Sequence, residues 1–173
     1  MARTYGRLEA MNQMQSVNKD ILIPSVVGLL ANYSHAISDG RLEEWPNFFT
    51  DDGIYRVTTR ENVELELPAS IIFCEGKGML RDRISALRRA NIFEPHVYCH
   101  TVGLPEITRK EKGEYEVRSN FSVIRTMADG EMSVFACGRY FDRISEAKDL
   151  LKFRERSVVL DSRRIDTLLV IPI

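Results

Sequence analysis

Histidine ligates metals and exchanges protons near neutral pH, so His35, His96 and His100 are the natural place to look for chemistry in this 173-residue chain. The residues after Pro95 alternate in polarity and read as a strand. Residues four apart on a strand share a face, but at a rise of about 3.3 Å each they stand roughly 13 Å apart, too far to hold one ion. The chain has no His-Glu-x-x-His and no Cys-x-x-Cys. Nor does it pair Cys-x-His with Cys-x-x-His, as an iron–sulfur cluster of mixed ligation requires. No metal of its own is expected.

Phosphate cradles and nucleophile elbows are also missing: Gly-x-Gly-x-x-Gly, Gly-x-x-x-x-Gly-Lys and Gly-x-Ser-x-Gly do not occur. Gly76-Lys77-Gly78 reads as a turn and a helix start. Asp51-Asp52 resembles a carboxylate dyad, but aspartates before a glycine are favoured by turn hydrogen bonding alone. One polar constellation remains, made of Tyr33 and Asp39 near a first helix with His96, Tyr98, His100 and Asn120 on strands able to face it. If these groups converge in a cavity, an imidazole and a carboxylate there can do general acid–base work. Each also has a structural explanation. Tyr33 has apolar neighbours at helical spacing, Asp39 precedes a helix-ending glycine, and the histidines can serve as hydrogen-bonded core or interface residues.

The elements that must position these residues change character midway along the chain. Val26, Leu30, Tyr33 and Ile37 recur at helical spacing and predict a helix from Pro24 or Ser25 to Asp39, stopped by Gly40 in a left-handed cap. A second short helix, Arg41 to Phe49, puts Leu42, Trp45 and Phe48-Phe49 on one side, which makes Trp45 a core anchor. Asp51-Asp52-Gly53 then turns the chain into a strand over Ile54 to Thr58. Ala69 to Cys74 reads as another strand, and Lys77 to Arg89 as a helix with Leu80, Ile84 and Leu87 inward.

From His96 onward the period is two. Strands are expected over Val97–Ile107, Tyr115–Met127, Glu131–Ile144 and Leu150–Leu160, with Ala128-Asp129-Gly130 closing a tight hairpin between the second and third. Helices first and a meander of long strands after them describe an α+β domain. Its curved, mostly antiparallel sheet wraps its N-terminal helices into a cone. The length suits one domain over residues 23–173, preceded by a polar, Met/Gln/Asn-rich arm over residues 1–22.

A net charge of −1 and a pI near 6.3 leave no electrostatic footprint for nucleic acid. The short basic clusters Arg81-Asp82-Arg83, Arg88-Arg89 and Arg163-Arg164 read as solvated faces or interface contacts. No run approaches the roughly 18 apolar residues of a membrane span, and the first residues lack the apolar core of a signal peptide. Cys74, Cys99 and Cys137 are odd in number, and each lies in an apolar strand-like run. They are expected as small buried hydrophobes in a reducing cytoplasm.

Several segments together resemble a known family. They are Leu42-Glu43-Glu44-Trp45-Pro46-Asn47-Phe48-Phe49-Thr50-Asp51-Asp52-Gly53-Ile54-Tyr55, Met79-Leu80-Arg81-Asp82-Arg83-Ile84 and Ser119-Asn120-Phe121, followed by Phe135-Ala136-Cys137-Gly138-Arg139-Tyr140 and Phe153-Arg154-Glu155-Arg156. In this order and spacing, from about Ile23 onward, they resemble the small (β) subunit of aromatic-ring-hydroxylating dioxygenases. The Phe-x-Asp-Asp-Gly turn occurs more widely in the nuclear-transport-factor-2-like, or cystatin-like, fold.

The resemblance implies a non-catalytic subunit that binds the large (α) subunit of a Rieske non-haem iron oxygenase, commonly as an α3β3 hexamer with small-subunit trimer contacts. The Rieske 2Fe-2S cluster and the mononuclear iron would lie in the large subunit, with electrons delivered by ferredoxin and reductase components. The Cys137–Tyr140 run and the segment Leu160–Ile173 look most similar to systems acting on aromatic carboxylates such as terephthalate or salicylate. The alternative is a stand-alone lyase or isomerase of the same fold, with Tyr33, Asp39, His96, His100 and Asn120 around a pocket in the cone. A third reading is a ligand-binding module.

Overall fold

The structure, a computed structural model, describes residues 22–90, 94–147, 150–164 and 169–173. The arm expected over residues 1–22 therefore lies outside the described residues except at its last position. Helix α1 (residues 22–38) buries Val26, Leu30, Tyr33 and Ile37, the stripe its spacing predicts. Gly40 ends it at φ 73°. The Arg41 N–H donates to Ala36 O at 2.8 Å and the Gly40 N–H to Ile37 O at 3.0 Å, the paired bonds that satisfy the last carbonyls of a helix. A 3-10 helix, Leu42–Phe48, follows and buries Leu42 and Trp45.

Strand β1 (Phe49–Thr59) starts earlier than expected and runs through Asp51-Asp52-Gly53. These residues form an irregularity inside the strand, where its pairing register shifts between Phe49 and Ile54. Glycine is needed there, because a Cβ on Gly53 would stand 2.8 Å from the Phe49 Cβ. A short helix that the periodicity did not predict, α2 (Arg60–Glu64), comes next. It is capped by Thr59, whose Oγ1 accepts the Asn62 N–H at 3.2 Å.

Strand β2 (Ile72–Glu75) and helix α3 (Gly76–Arg89) complete the front half, and α3 buries Leu80, Ile84 and Leu87. The back half holds β3 (His96–Val102), β4 (Glu106–Arg109), β5 (Glu114–Met127), β6 (Met132–Ala147) and β7 (Leu150–Leu160). The single strand expected over Val97–Ile107 is two strands interrupted at Gly103-Leu104-Pro105. Proline has no N–H for a ladder there, and β3 and β4 pair with different stretches of β5.

The seven-stranded sheet is ordered β2-β1-β7-β6-β5-β3, with β4 also on β5. Pairing is antiparallel except between β1 and β7. That parallel contact brings the front half onto the meander and curls the sheet around α1 and α3. Close approach of β7 to β6 explains the glycine of Cys137-Gly138-Arg139, since a Cβ on Gly138 would collide with the Val159 carbonyl. Cys74 is buried, but Cys99 and Cys137 are exposed. Their apolar runs alternate, and both cysteines fall on the outward parity.

Candidate functional site

The inner face of the sheet is organised around one ion pair. Arg156 on β7 lies opposite Asp142 on β6. Its Nε donates to Asp142 Oδ1 at 2.9 Å and its Nη2 to Oδ2 at 2.8 Å, with the two side chains 1% and 0% exposed. The guanidinium carbon lies 4.1 Å from the ring centroids of Tyr33, Tyr140 and Phe153 alike. Arginine suits this site because its flat, weakly hydrated cation stacks on rings while its fork grips a carboxylate. Burial lifts the Asp142 carboxyl above its ordinary range, against the opposing pull of Arg156. Burial also works against the Arg156 charge, but Asp142, Tyr33 and Tyr140 outweigh it and hold the guanidinium above its usual value.

Tyr33 links this pair to the front half. Its hydroxyl accepts the Trp45 Nε1–H at 3.1 Å and donates to the Ile173 carbonyl at 2.9 Å. Trp45 packs edge-on against Tyr55 and Phe49, with centroids 4.9 and 5.7 Å away, and is fully buried. It is the core anchor its position predicts. Burial, the leading influence, lifts the phenols of Tyr33, Tyr55 and Tyr140 above their ordinary value.

The sequence constellation divides. His96, Tyr98 and His100 share the inner face of β3, with Tyr98 between the two imidazoles at centroid distances of 4.9 and 6.1 Å. The His96 Nδ1–H donates to the Glu94 carbonyl at 2.8 Å. Ser38 Oγ, at the end of α1, meets His100 Nδ1 at 3.0 Å and accepts the His100 backbone N–H at 3.3 Å. Asp39 is exposed and pairs with Arg41 at 3.3 Å. Asn120 is exposed, whereas its neighbours Ser119 and Phe121 point inward. The structure therefore gathers Tyr33, Tyr98, His96 and His100 toward the interior and leaves Asp39 and Asn120 outside it.

Burial, followed by the Arg156 charge, pushes the His100 imidazole down to about 4, so it is neutral at pH 7. Its Nε2, like Tyr140 Oη and Ser119 Oγ, has no hydrogen-bond partner among the described residues. A groove of about 300 Å³ reaches His100 between Leu30, Ser34 and His35 of α1 and the Val102–Leu104 turn. No carboxylate of the described residues lines it. A larger outer depression of about 520 Å³ is edged by Arg56, Glu106, Arg118, Arg143 and Glu155. These charges largely answer one another, as in Arg143–Glu155 at 2.8 Å and Arg118–Glu106 at 3.6 Å.

Among the described residues no group of three or more His, Cys, Asp and Glu side chains is placed to hold a metal. The donor set therefore does not fit a Rieske cluster or a mononuclear iron. What the interior can do is hold the sheet to α1 through a buried, oriented cation. Sequence reasoning missed Arg156 and Asp142 as a pair, and their only advance signal was Arg156 in the Phe-Arg-Glu-Arg run.

Residues 34–167 match the family described as ring hydroxylating beta subunit. The chain is 41% identical over 143 residues to subunit beta 1 of the terminal oxygenase component of terephthalate 1,2-dioxygenase from Comamonas sp, covering 83% of this chain and 93% of the relative. It is 36% identical over 161 residues to the small subunit of anthranilate 1,2-dioxygenase from Burkholderia cepacia, covering 92% and 100%. A solved structure from Novosphingobium aromaticivorans, described as the β subunit of an aromatic-ring-hydroxylating dioxygenase, superposes with a TM-score of 0.82 at 35% identity. It covers 90% of this chain and 99% of that one.

A scytalone dehydratase structure from the same organism, at 15% identity and a TM-score of 0.67 over 85% of this chain and 89% of that one, shares the nuclear-transport-factor-2-like fold alone. The chain belongs to the family of ring-hydroxylating dioxygenase β subunits.

Proposed function

We propose that this chain is the structural small subunit of a multicomponent dioxygenase that acts on an aromatic carboxylate. Its large-subunit partner would carry the Rieske cluster and the mononuclear iron and take electrons from ferredoxin and reductase components, in an α3β3 hexamer. The relatives named for terephthalate and anthranilate support the carboxylate class. The observation that carries the non-catalytic role is the interior itself. Its buried cation is committed to Asp142 and three rings, and its neutral His100 has no acid beside it among the described residues.

The outer face of β3, β5 and β6 supports a subunit role. Val97, Met132 and Val134 are 62%, 71% and 72% exposed, and Cys99, Ile124 and Val134 form one row across three strands. The row above holds Val97, Thr126 and Met132, and the row below Thr101, Ser122 and Cys137. None of these side chains is charged, and apolar, charge-poor centres characterise obligate interfaces. We put the large subunit on this face, and membership of a family of β subunits supports the existence of such a partner.

The test is co-expression with the large subunit, isolation of the complex by size, and oxygen uptake per iron. Asp39→Asn and His100→Gln are expected to leave turnover per assembled complex within about twofold, because loss of a general acid or base costs about 10²- to 10⁴-fold. A hundredfold loss in a normally assembled variant overturns the non-catalytic role. The chain purified alone is expected to hold no stoichiometric iron by elemental analysis.

A further inference from the structure

Among the described residues, 169–173 are fastened to the fold unlike any other buried segment. Leu169, Val170 and Ile173 are 5%, 3% and 0% exposed, yet none of the five belongs to a helix or strand. No backbone-to-backbone hydrogen bond joins them to the rest of the described residues. Side chains hold their backbone instead. Arg83 Nη2 on α3 donates to the Leu169 carbonyl at 2.7 Å and more weakly to that of Val170 at 3.4 Å. The hydroxyls of Tyr33 and Tyr55 converge on the Ile173 carbonyl at 2.9 and 3.1 Å, and the Ile173 N–H donates back to Tyr55 Oη at 3.0 Å.

A peptide bound by another protein is held in this way: polar side chains read its carbonyls, and its apolar side chains enter pockets. The fit is close, since the gap left beside Leu169 and Ile173, against Phe135, Cys137 and Leu160, is about 10 Å³, room for no more than one water. We infer that the cone interior between α1, α3 and β1 is a binding site for a short apolar peptide, occupied in cis by Leu169–Ile173. The donors are Tyr33, Tyr55 and Arg83. The ligand class is a short segment with uncharged, apolar side chains that match Leu-Val-Ile-Pro-Ile.

The test keeps the whole chain. A protease recognition sequence is inserted after Asp166, the protein is folded and then cut, and a fluorescent Leu-Val-Ile-Pro-Ile peptide is added to the cut complex. The expected result is a cut protein that keeps its circular dichroism and exchanges its own segment for the labelled peptide with saturable binding. Replacing the last isoleucine of the peptide by aspartate should weaken binding at least tenfold, and so should Tyr55→Phe in the protein. Unfolding on cleavage that excess peptide does not reverse would show an ordinary part of the core and overturn the inference, as would a cut protein that stays folded and binds no peptide. A second measurement needs no cut. In Arg83→Ala, the amides of Val170 and Ile173 should exchange hydrogen at least tenfold faster while those of β5 and β6 stay unchanged, whereas acceleration of all of them together would overturn it.

Discussion

The two faces of the sheet over β5, β6 and β7 treat polarity in opposite ways. The inner face buries an ion pair and closes three aromatic rings over it. The outer face, over its half nearest β3, carries no charge and still leaves Val134 and Met132 in solvent. A charge is tolerated inside because a fixed carboxylate grips it through two hydrogen bonds and three ring faces surround it. Its absence outside is informative because water would have solvated it freely, and monomers rarely expose large contiguous apolar patches. The inner face is therefore completed by the chain itself, whereas the outer face is the one the proposed partner would cover.

The strongest way to break this contrast is to unbalance the inner pair. Arg156→Leu leaves the Asp142 carboxylate buried without its partner and should destabilise by about 3–5 kcal/mol, whereas Arg156→Leu with Asp142→Leu should recover most of that loss. Denaturant unfolding of the single and double variants decides it, and equal losses in both would mean that the rings, not the pair, matter. Trp45→Ala probes the same face without touching charge. With the indole fully buried, the cavity should destabilise by about 3–5 kcal/mol in the same assay, and a loss below about 1 kcal/mol would show that the site collapses freely.

The edge of the inner face is sharpened by pH. His100 is held down to about 4 by burial and the Arg156 charge, so between about pH 6.5 and 4 the unfolded chain binds a proton there that the folded chain refuses. Stability should fall as pH drops through that window, by about 3 kcal/mol in all, and level off below it. Melting temperatures across the range should show the slope in the parent and a flatter profile in His100→Gln. The smallest effect belongs to the outer face. Val134→Lys should change the stability of the isolated chain by no more than about 0.5 kcal/mol, yet reduce the yield of complex with the large subunit in a pull-down. Undiminished assembly would remove this face from the interface.

Much of the scaffold was legible because periodicity is local. The stripe of α1, the inward residues of α3, the hairpin at Gly130 and the long strands follow from spacing and turn chemistry, and Trp45 falls in the core as its helical side predicts. The break between β3 and β4 was less legible, because it depends on which part of β5 each segment reaches. Cys99 and Cys137 were misplaced because an apolar run does not reveal parity. For the candidate site, sequence located residues but not facing: Tyr33 and His100 turn inward, while Asn120, one position from Phe121, does not.

The sequence by itself determined the class of fold, the order of its longer elements and the family, because hydrophobic period and motif order survive without knowledge of distant contacts. Tertiary structure alone decided which charge enters the core. Alternation from Phe153 would send Glu155 inward. The pairing of Ile144 with Phe153 and of Arg143 with Glu155 leaves Arg154 as an extra residue, and that bulge shifts the parity so that Arg156 meets Asp142. A bulge inverts every side chain beyond it, and its position is set by the register between two strands, which no local pattern contains.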